Sequence, residues 1–418
     1  MRIHQVIVLG SCVVFVSGCD LLKRGKESAD SGATTQTEST TSKPTDTTAA
    51  TTEQAADPTK PPQTGCTWPD TGDHDITITK GCAVTVKNDL HLDNGATLTI
   101  EEGVKLSFET DHYLWVEYGK MIVKGTAAAP VTFTSANKSP AAGDWVGIGF
   151  KDKTMTGTSL DHLIIEYAGS KSSNGVGAIQ LENMRQGGRI AITNTTVRAS
   201  SQFGLVTDEH GTFSKFENNT FTDCKSGSLD VVADTLGSVG PGNKFNQPIH
   251  VKQSTIEQTT TWPPFDVPVF VDGNITVKSD SALPTFTIAD KTVVKMGQDQ
   301  YISVGDSGAA GALVAKNVTF TSGSPAPSPG DWGSIFVFKK TSGTDIEGCT
   351  FEDFGSTSSN ADGAITLYGT SAKDLHAVTI KNNTFRSGKQ QAMHSDDGKC
   401  APFDTQNKVE GIPFCNKP

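Results

Sequence analysis

"VTFTSANKSPAAGDW" runs from Val131 to Trp145, and "VTFTSGSPAPSPGDW" runs from Val318 to Trp332, the same length with the same start and the same close. Working outward from this match recovers a whole repeat. "TLTIEEGVKL" (97–106) faces "TFTIADKTVVKM" (285–296), "GAIQL" (177–181) faces "GAITL" (363–367), and "ITNTTVR" (192–198) faces "IKNNTFR" (380–386). Two copies, residues 65–258 and 259–418, therefore fill the chain from Cys66 onward.

Within each copy short β-prone runs follow one another, among them "AVTV", "TLTI", "KLSF", "YLWV", "VGIGF" and "LIIEY", separated by Gly, Asn, Asp or Ser. No segment after the first twenty residues keeps a 3.6-residue apolar period for three turns, so the expectation is all-β. A sandwich would show more two-residue hairpin turns, and a propeller would show a period near forty. What recurs instead is an Asn-x-Thr step, in "ITNTTV", "ENNTF", "KNVTF" and "KNNTF", with Asn194 and Asn218 spaced 24 residues apart. That is about one turn of a wide solenoid, in which each position stacks on its counterpart ~4.8 Å away. A buried turn there needs a residue that tolerates the left-handed region and whose amide bonds the coils above and below. Asn is expected to do both.

These residues resemble right-handed parallel β-helix repeat proteins of the pectate-lyase-like superfamily. More narrowly, they resemble bacterial surface lipoproteins that carry "LTI-x-x-G", "P-[IV]-T-F-T-S" and "G-D-W-x-x-I-x-F" in that order. The second copy departs at "TFTIADKTVVKMG", which lacks the counterpart of Gly103. The resemblance implies a fold, a solenoid lengthened by internal duplication, and no particular activity.

The N-terminus supports an envelope location. Arg2 precedes an apolar run from Val6 to Val16, which is too short to span a bilayer and the right size for a signal-peptide core. The run ends at Val16-Ser17-Gly18-Cys19, which resembles a bacterial lipobox. Residues 1–18 then read as a signal peptide and Cys19 as the lipid attachment site. Several acyl chains there would anchor the protein stably to a membrane, with the outer membrane or cell surface as the expected location. Residues 19–64, rich in Thr, Ser and Pro, read as a disordered tether with a coil span of roughly 35 Å. Export permits disulfides, and the close pairs Cys66 with Cys82 and Cys400 with Cys415 are expected to form them. Cys224 and Cys349 fall at core positions and read as small apolar residues.

The 418 residues carry 46 Asp and Glu against 35 Lys and Arg, a net charge of −11, which argues against nucleic acid as a partner. The carboxylate runs "VTDEHG" and "HSDDGK" place Asp208, Glu209, Asp396 and Asp397 just after β runs. These four are the candidates for holding a cation such as Ca²⁺ or for meeting a ligand, although carboxylates in solenoid turns are commonly only solvated. No catalytic residue or organic cofactor is assigned. Trp145 and Trp332 fit packing over a coil edge better than sugar stacking. His162 beside Asp161 and Glu166 reads as a surface histidine. The expected function is a binding, adhesive or structural role at the envelope, toward an extended glycan or another envelope protein. The competing expectation is a polysaccharide lyase or glycoside hydrolase on the same fold.

Overall fold

An unbroken line of apolar side chains runs along the molecule. Leu90, Leu114, Ile148, Ile179, Leu205, Leu229, Ile249, Val269, Val294, Phe320, Phe351 and Phe385 stand in register on successive parallel strands. All twelve are closed to water. Burying each removes roughly 1.5–3 kcal/mol of unfavourable hydration, and the in-register line makes every coil stabilise the next. The computed structural model describes residues 60–171, 176–184, 188–208, 211–359, 361–368, 378–395 and 398–415. Over these residues the chain is a right-handed parallel β-helix with three faces per coil.

One face is a 13-stranded sheet that passes through both sequence copies, from Leu90–Leu92 to Lys408–Glu410. The other two faces are divided. In the first copy they are two seven-stranded sheets, one beginning at Gln63–Gly65 and the other at Ala83–Val86. From the end of the first copy onward they are a six-stranded sheet beginning at Ser254–Ile256 and a five-stranded sheet beginning at Thr260–Trp262. Between them the chain forms a short helix, Ala233–Leu236, which packs on the first strands of both new sheets. It is tied there by Trp262 Nε1, which donates to the Ala233 carbonyl at 2.8 Å, and by the Ala233 N–H, which donates to Ser254 Oγ at 2.9 Å.

The two copies do not enter the stack in the same phase. Strand Val131–Ser135 lies on a seven-stranded sheet, and its counterpart Thr319–Ser322 lies on the 13-stranded one. Strand Gly147–Phe150 lies on the 13-stranded sheet, whereas its counterpart Ile335–Phe338 lies on the six-stranded one. The second copy is thus turned by one face relative to the first.

The repeated words are loop clasps. Ser135 Oγ donates to Asp144 Oδ2 at 2.6 Å, and Ser322 Oγ donates to Asp331 Oδ2 at the same distance, so each loop is closed by the Ser that ends a strand and the Asp before Trp. Trp145 and Trp332 then turn fully into the core, where their indole N–H groups donate to the carbonyls of Glu166 and Glu352 at 2.9 and 2.6 Å.

The asparagine step differs from its expected form. Asn194, Asn218, Asn317 and Asn382 hold φ between 51° and 58° and are exposed, so they supply the left-handed turn, and the amides of Asn194, Asn317 and Asn382 donate to the surface carboxylates of Asp161, Asp290 and Glu347 rather than to buried backbone. After Asn218 and Asn382 the buried amide ladder is made by the residue that follows. Asn219 is closed to water, accepts the Thr195 N–H at 3.0 Å and donates to the Ile192 carbonyl at 2.9 Å. Asn383 bridges Cys349 and Ile346 in the same way, at 2.8 and 3.0 Å. Two adjacent residues divide the roles that one was expected to combine, because a side chain carried by an αL residue points out of the coil.

Disulfides Cys66–Cys82 and Cys400–Cys415 lie at the two ends of the described stack, with Cα separations of 5.3 and 6.1 Å. Cys224 and Cys349 are buried free thiols, pushed by burial up to about 12 and about 11.

Candidate functional site

Of the four acidic residues singled out in sequence, Asp208 is described, and Glu209, Asp396 and Asp397 lie outside the described residues, as does Cys19. Both carboxylate oxygens of Asp208 accept the backbone N–H of Asn183 at 2.6 Å, which clamps the turn of the coil below. The strand that leads to Asp208, Phe203–Thr207, belongs to the 13-stranded sheet. The strand that leads toward residue 396, Gln391–Ser395, belongs to the six-stranded sheet. The one-face offset therefore starts the two carboxylate runs from different faces. Among the described residues, no three His, Cys, Asp or Glu side chains gather as metal ligands would. His162 Nδ1 stands 3.1 Å from Asp161, while Glu166 pairs with Arg198 at 2.6 Å, so the three do not form a cluster.

Side chains on alternate strand positions leave the core and line the outside. In the first copy the outer face of the 13-stranded sheet carries Tyr113 and Trp115 on one rung, Gly149 and Lys151 around the next, then Gln180 and Glu182. The Trp115 indole lies over Gly149 so closely that a β-carbon there would fall 1.3 Å from the ring. The Lys151 ammonium sits 5.2 Å above the indole and 2.9 Å from Glu117. Gln180 is 1 % exposed and its Oε1 has no hydrogen-bond partner. Glu182 is half-buried, and burial, with Asp208 and Glu117 nearby, raises its carboxyl above the usual range against the pull of Lys151.

The second copy presents the same rungs on the six-stranded sheet with different chemistry. Ser303 pairs in register with Phe336 where the first copy pairs Trp115 with Gly149, so large and small residues have changed places between neighbouring rungs. Phe338 and Tyr368, also paired, replace Lys151 and Glu182. The result is a groove of about 490 Å³ lined by Tyr301, Phe336, Phe338 and Tyr368, with Thr276, Ser303 and Ser358 around them. Ring centroids stand 5.3 Å apart for Tyr301 and Phe336, 6.2 Å for Phe336 and Tyr368, and 5.0 Å for Phe338 and Tyr368. Phe336 is nearly buried at 7 % exposure, whereas Tyr368 is 51 % exposed. Lys278 and Asp306 close one side with a 2.8 Å ion pair, and the Lys278 hydrogen bond, with the N–H groups of Ala309 and Gly308, holds Asp306 down to about 2.

Sequence reasoning passed over this groove. In "SIFVF" the residues Ile335 and Val337 point inward, and Phe336 and Phe338 occupy the alternate positions. The run looks uniformly apolar until the two-residue period is imposed on it. A second hollow of about 430 Å³ lies where the sheets divide, lined by Pro241, Asn243, Phe245, Pro263 and Phe265. The Asn243 amide is engaged there by the Phe216 and Gly240 carbonyls, which leaves few groups to orient a ligand.

The comparisons with known proteins agree with the fold. The model of a pectate-lyase like beta helix domain matches residues 70–180, which lie within the first copy. No curated protein and no solved structure matches the chain.

Proposed function

We propose that this chain is an exported, lipid-tethered β-helix of the bacterial cell envelope that binds extended glycans. The observation that carries the reading is the in-register repetition of outward positions on consecutive rungs of one sheet, Thr276, Ser303 and Phe336 in one column and Phe338 and Tyr368 in the next. Equal spacing of ~4.8 Å along an axis suits a long polymer better than a compact molecule. The tether reading rests on Arg2, the apolar run and Cys19, with residues 19–64 as the spacer. Net negative charge disfavours acidic polymers unless a divalent cation such as Ca²⁺ bridges them.

Fractionation of bacteria that express the intact chain and its Cys19→Ala variant tests the anchor. The intact chain is expected in the membrane, and the variant is expected as an exported soluble protein. Retention of the variant in the membrane would reject lipidation at Cys19. Incubating the soluble variant with polysaccharides, with and without Ca²⁺, tests the binding role. A second reading, a lyase or hydrolase, draws support from Glu182, whose raised carboxyl lies near Lys151 as an acid and a cation would in such a site. Release of shorter chains in the same incubation would favour it.

A further inference from the structure

We infer that the groove formed by Tyr301, Phe336, Phe338 and Tyr368 is the glycan-binding site, and that it takes an uncharged pyranose chain laid across the rungs of the six-stranded sheet. The inference rests on the binding role proposed above and names its place and its ligand class.

The first argument is that the coil does not need two of these rings, Phe338 and Tyr368. One bulky ring per rung pair is structural, because Trp115 over Gly149 and Phe336 beside Ser303 fill the same space in the two copies. The next column is different. The first copy folds with Lys151 and Glu182 at the rungs where the second carries Phe338 and Tyr368. Packing therefore leaves these two aromatics unexplained. Tyr368 is half-exposed and Phe338 partly so, and such a pair of rings on the outside of a solenoid is costly in water and marks a contact surface.

The second argument selects the ligand. Hydroxyls at Thr276 and Ser358 stand beside the rings, and among the described residues the charged groups of the lining, Lys278 and Asp306, neutralise each other. A pyranose ring has an apolar C–H face that stacks on an aromatic ring and a rim of hydroxyls that needs polar partners, and this lining offers both. An acidic polymer would meet no net positive charge among the described lining residues, and a purely apolar segment would strip water from the hydroxyls and the ion pair without replacing it.

The test uses the soluble Cys19→Ala chain, titrated calorimetrically with neutral β-glucan, mannan and starch fragments, with pectate and alginate fragments, and with an apolar peptide. Phe338→Lys combined with Tyr368→Glu restores the residue types that the first copy carries at the same rungs, so the fold is expected to persist and is checked by its melting temperature. Tyr368→Ala, at a half-exposed position, serves if the double variant does not fold. At least one neutral glycan should bind, about tenfold or more weaker to Tyr368→Ala and weaker still to the double variant. Neutral-glycan binding that survives both substitutions would overturn the groove assignment and leave the glycan reading standing. Binding of acidic glycans alone, or of the apolar peptide in the groove, would overturn the ligand class. If no glycan of either kind binds, the glycan reading itself fails, and the groove assignment fails with it.

Discussion

The backbone N–H of Asn219 donates to the side-chain oxygen of Asn243 at 2.9 Å, while the side chain of Asn219 performs the same service for Thr195 one coil earlier. The amide of Asn243 in turn donates to the Phe216 carbonyl at 2.9 Å. Each buried asparagine thus satisfies one donor and one acceptor of a neighbouring turn that water cannot reach. The second copy repeats the arrangement from Cys349 through Asn383 to Asn407.

Asn219→Ala leaves the Thr195 N–H and the Ile192 carbonyl unpaired inside the coil. At roughly 1–3 kcal/mol for each orphaned group, the expected cost is about 2–6 kcal/mol in urea unfolding. Asn246→Ala removes an exposed contact to Thr222 and should change stability by less than about 0.5 kcal/mol. Equal effects of the two substitutions would refute the ladder's role.

Trp145 stacks on Phe108 with ring centroids 4.0 Å apart and has no exposed surface. Trp145→Ala should cost about 3–5 kcal/mol of stability, and any glycan affinity of the folded fraction should stay unchanged. Thermal unfolding together with a binding titration separates the two effects. A loss of binding with unchanged melting would make Trp145 a ligand contact.

Gly149 and Trp115 behave as a unit. Gly149→Phe alone should strongly destabilise the fold, because the space beside the strand already holds the indole. Adding Trp115→Ser reproduces the pairing of Ser303 with Phe336 and should recover much of the loss. A double-mutant cycle on melting temperature measures the coupling, and strict additivity would contradict the exchange.

Glu182 gives a pH signature. Burial raises its folded carboxyl above the ordinary value of 4.5, so the folded state binds the proton more tightly than the unfolded chain. Its contribution to stability therefore falls as pH rises from 4.5 through the folded value. Glu182→Gln should melt higher than the parent at pH 7, and the advantage should vanish near pH 4, where both forms are uncharged. An advantage of the same size at both pH values would exclude the carboxyl as its source.

Cys224 and Cys349 are buried, with thiols held far from the thiolate form. In the Cys19→Ala chain neither should react with a thiol reagent at pH 8 until denaturant is added, after which both should react. Fast labelling of the native protein would show that these coils open.

The duplication, the parallel β-helix and the inward lines of Ile, Val and Phe were legible because stacking imposes one repeated requirement on every coil. That Trp145 and Trp332 pack against the coil was legible for the same reason, but they were expected over a coil edge and stand fully inside the core. Which of two adjacent asparagines faces inward was not, since "NN" reads alike until the backbone of Asn218 or Asn382 is known to be left-handed. The role of Asp208 was hidden because its partner is a main-chain N–H at Asn183, and a main-chain group leaves no residue signature. The aromatic groove was hidden because Tyr301, Phe338 and Tyr368 are far apart in sequence and meet only when strands from three coils are laid in register.

The offset of one face decides what duplication could achieve in this molecule. A duplicate that continued in phase would have prolonged its parent's surface as a single stripe, and every later substitution would have been judged beside its twin. Entering one face late, the second copy aims its equivalent surface along another bearing around the axis. The charged surface and the aromatic one could then diverge as separate instruments on a shared shaft, and an occupant on one side leaves the other free for a different contact.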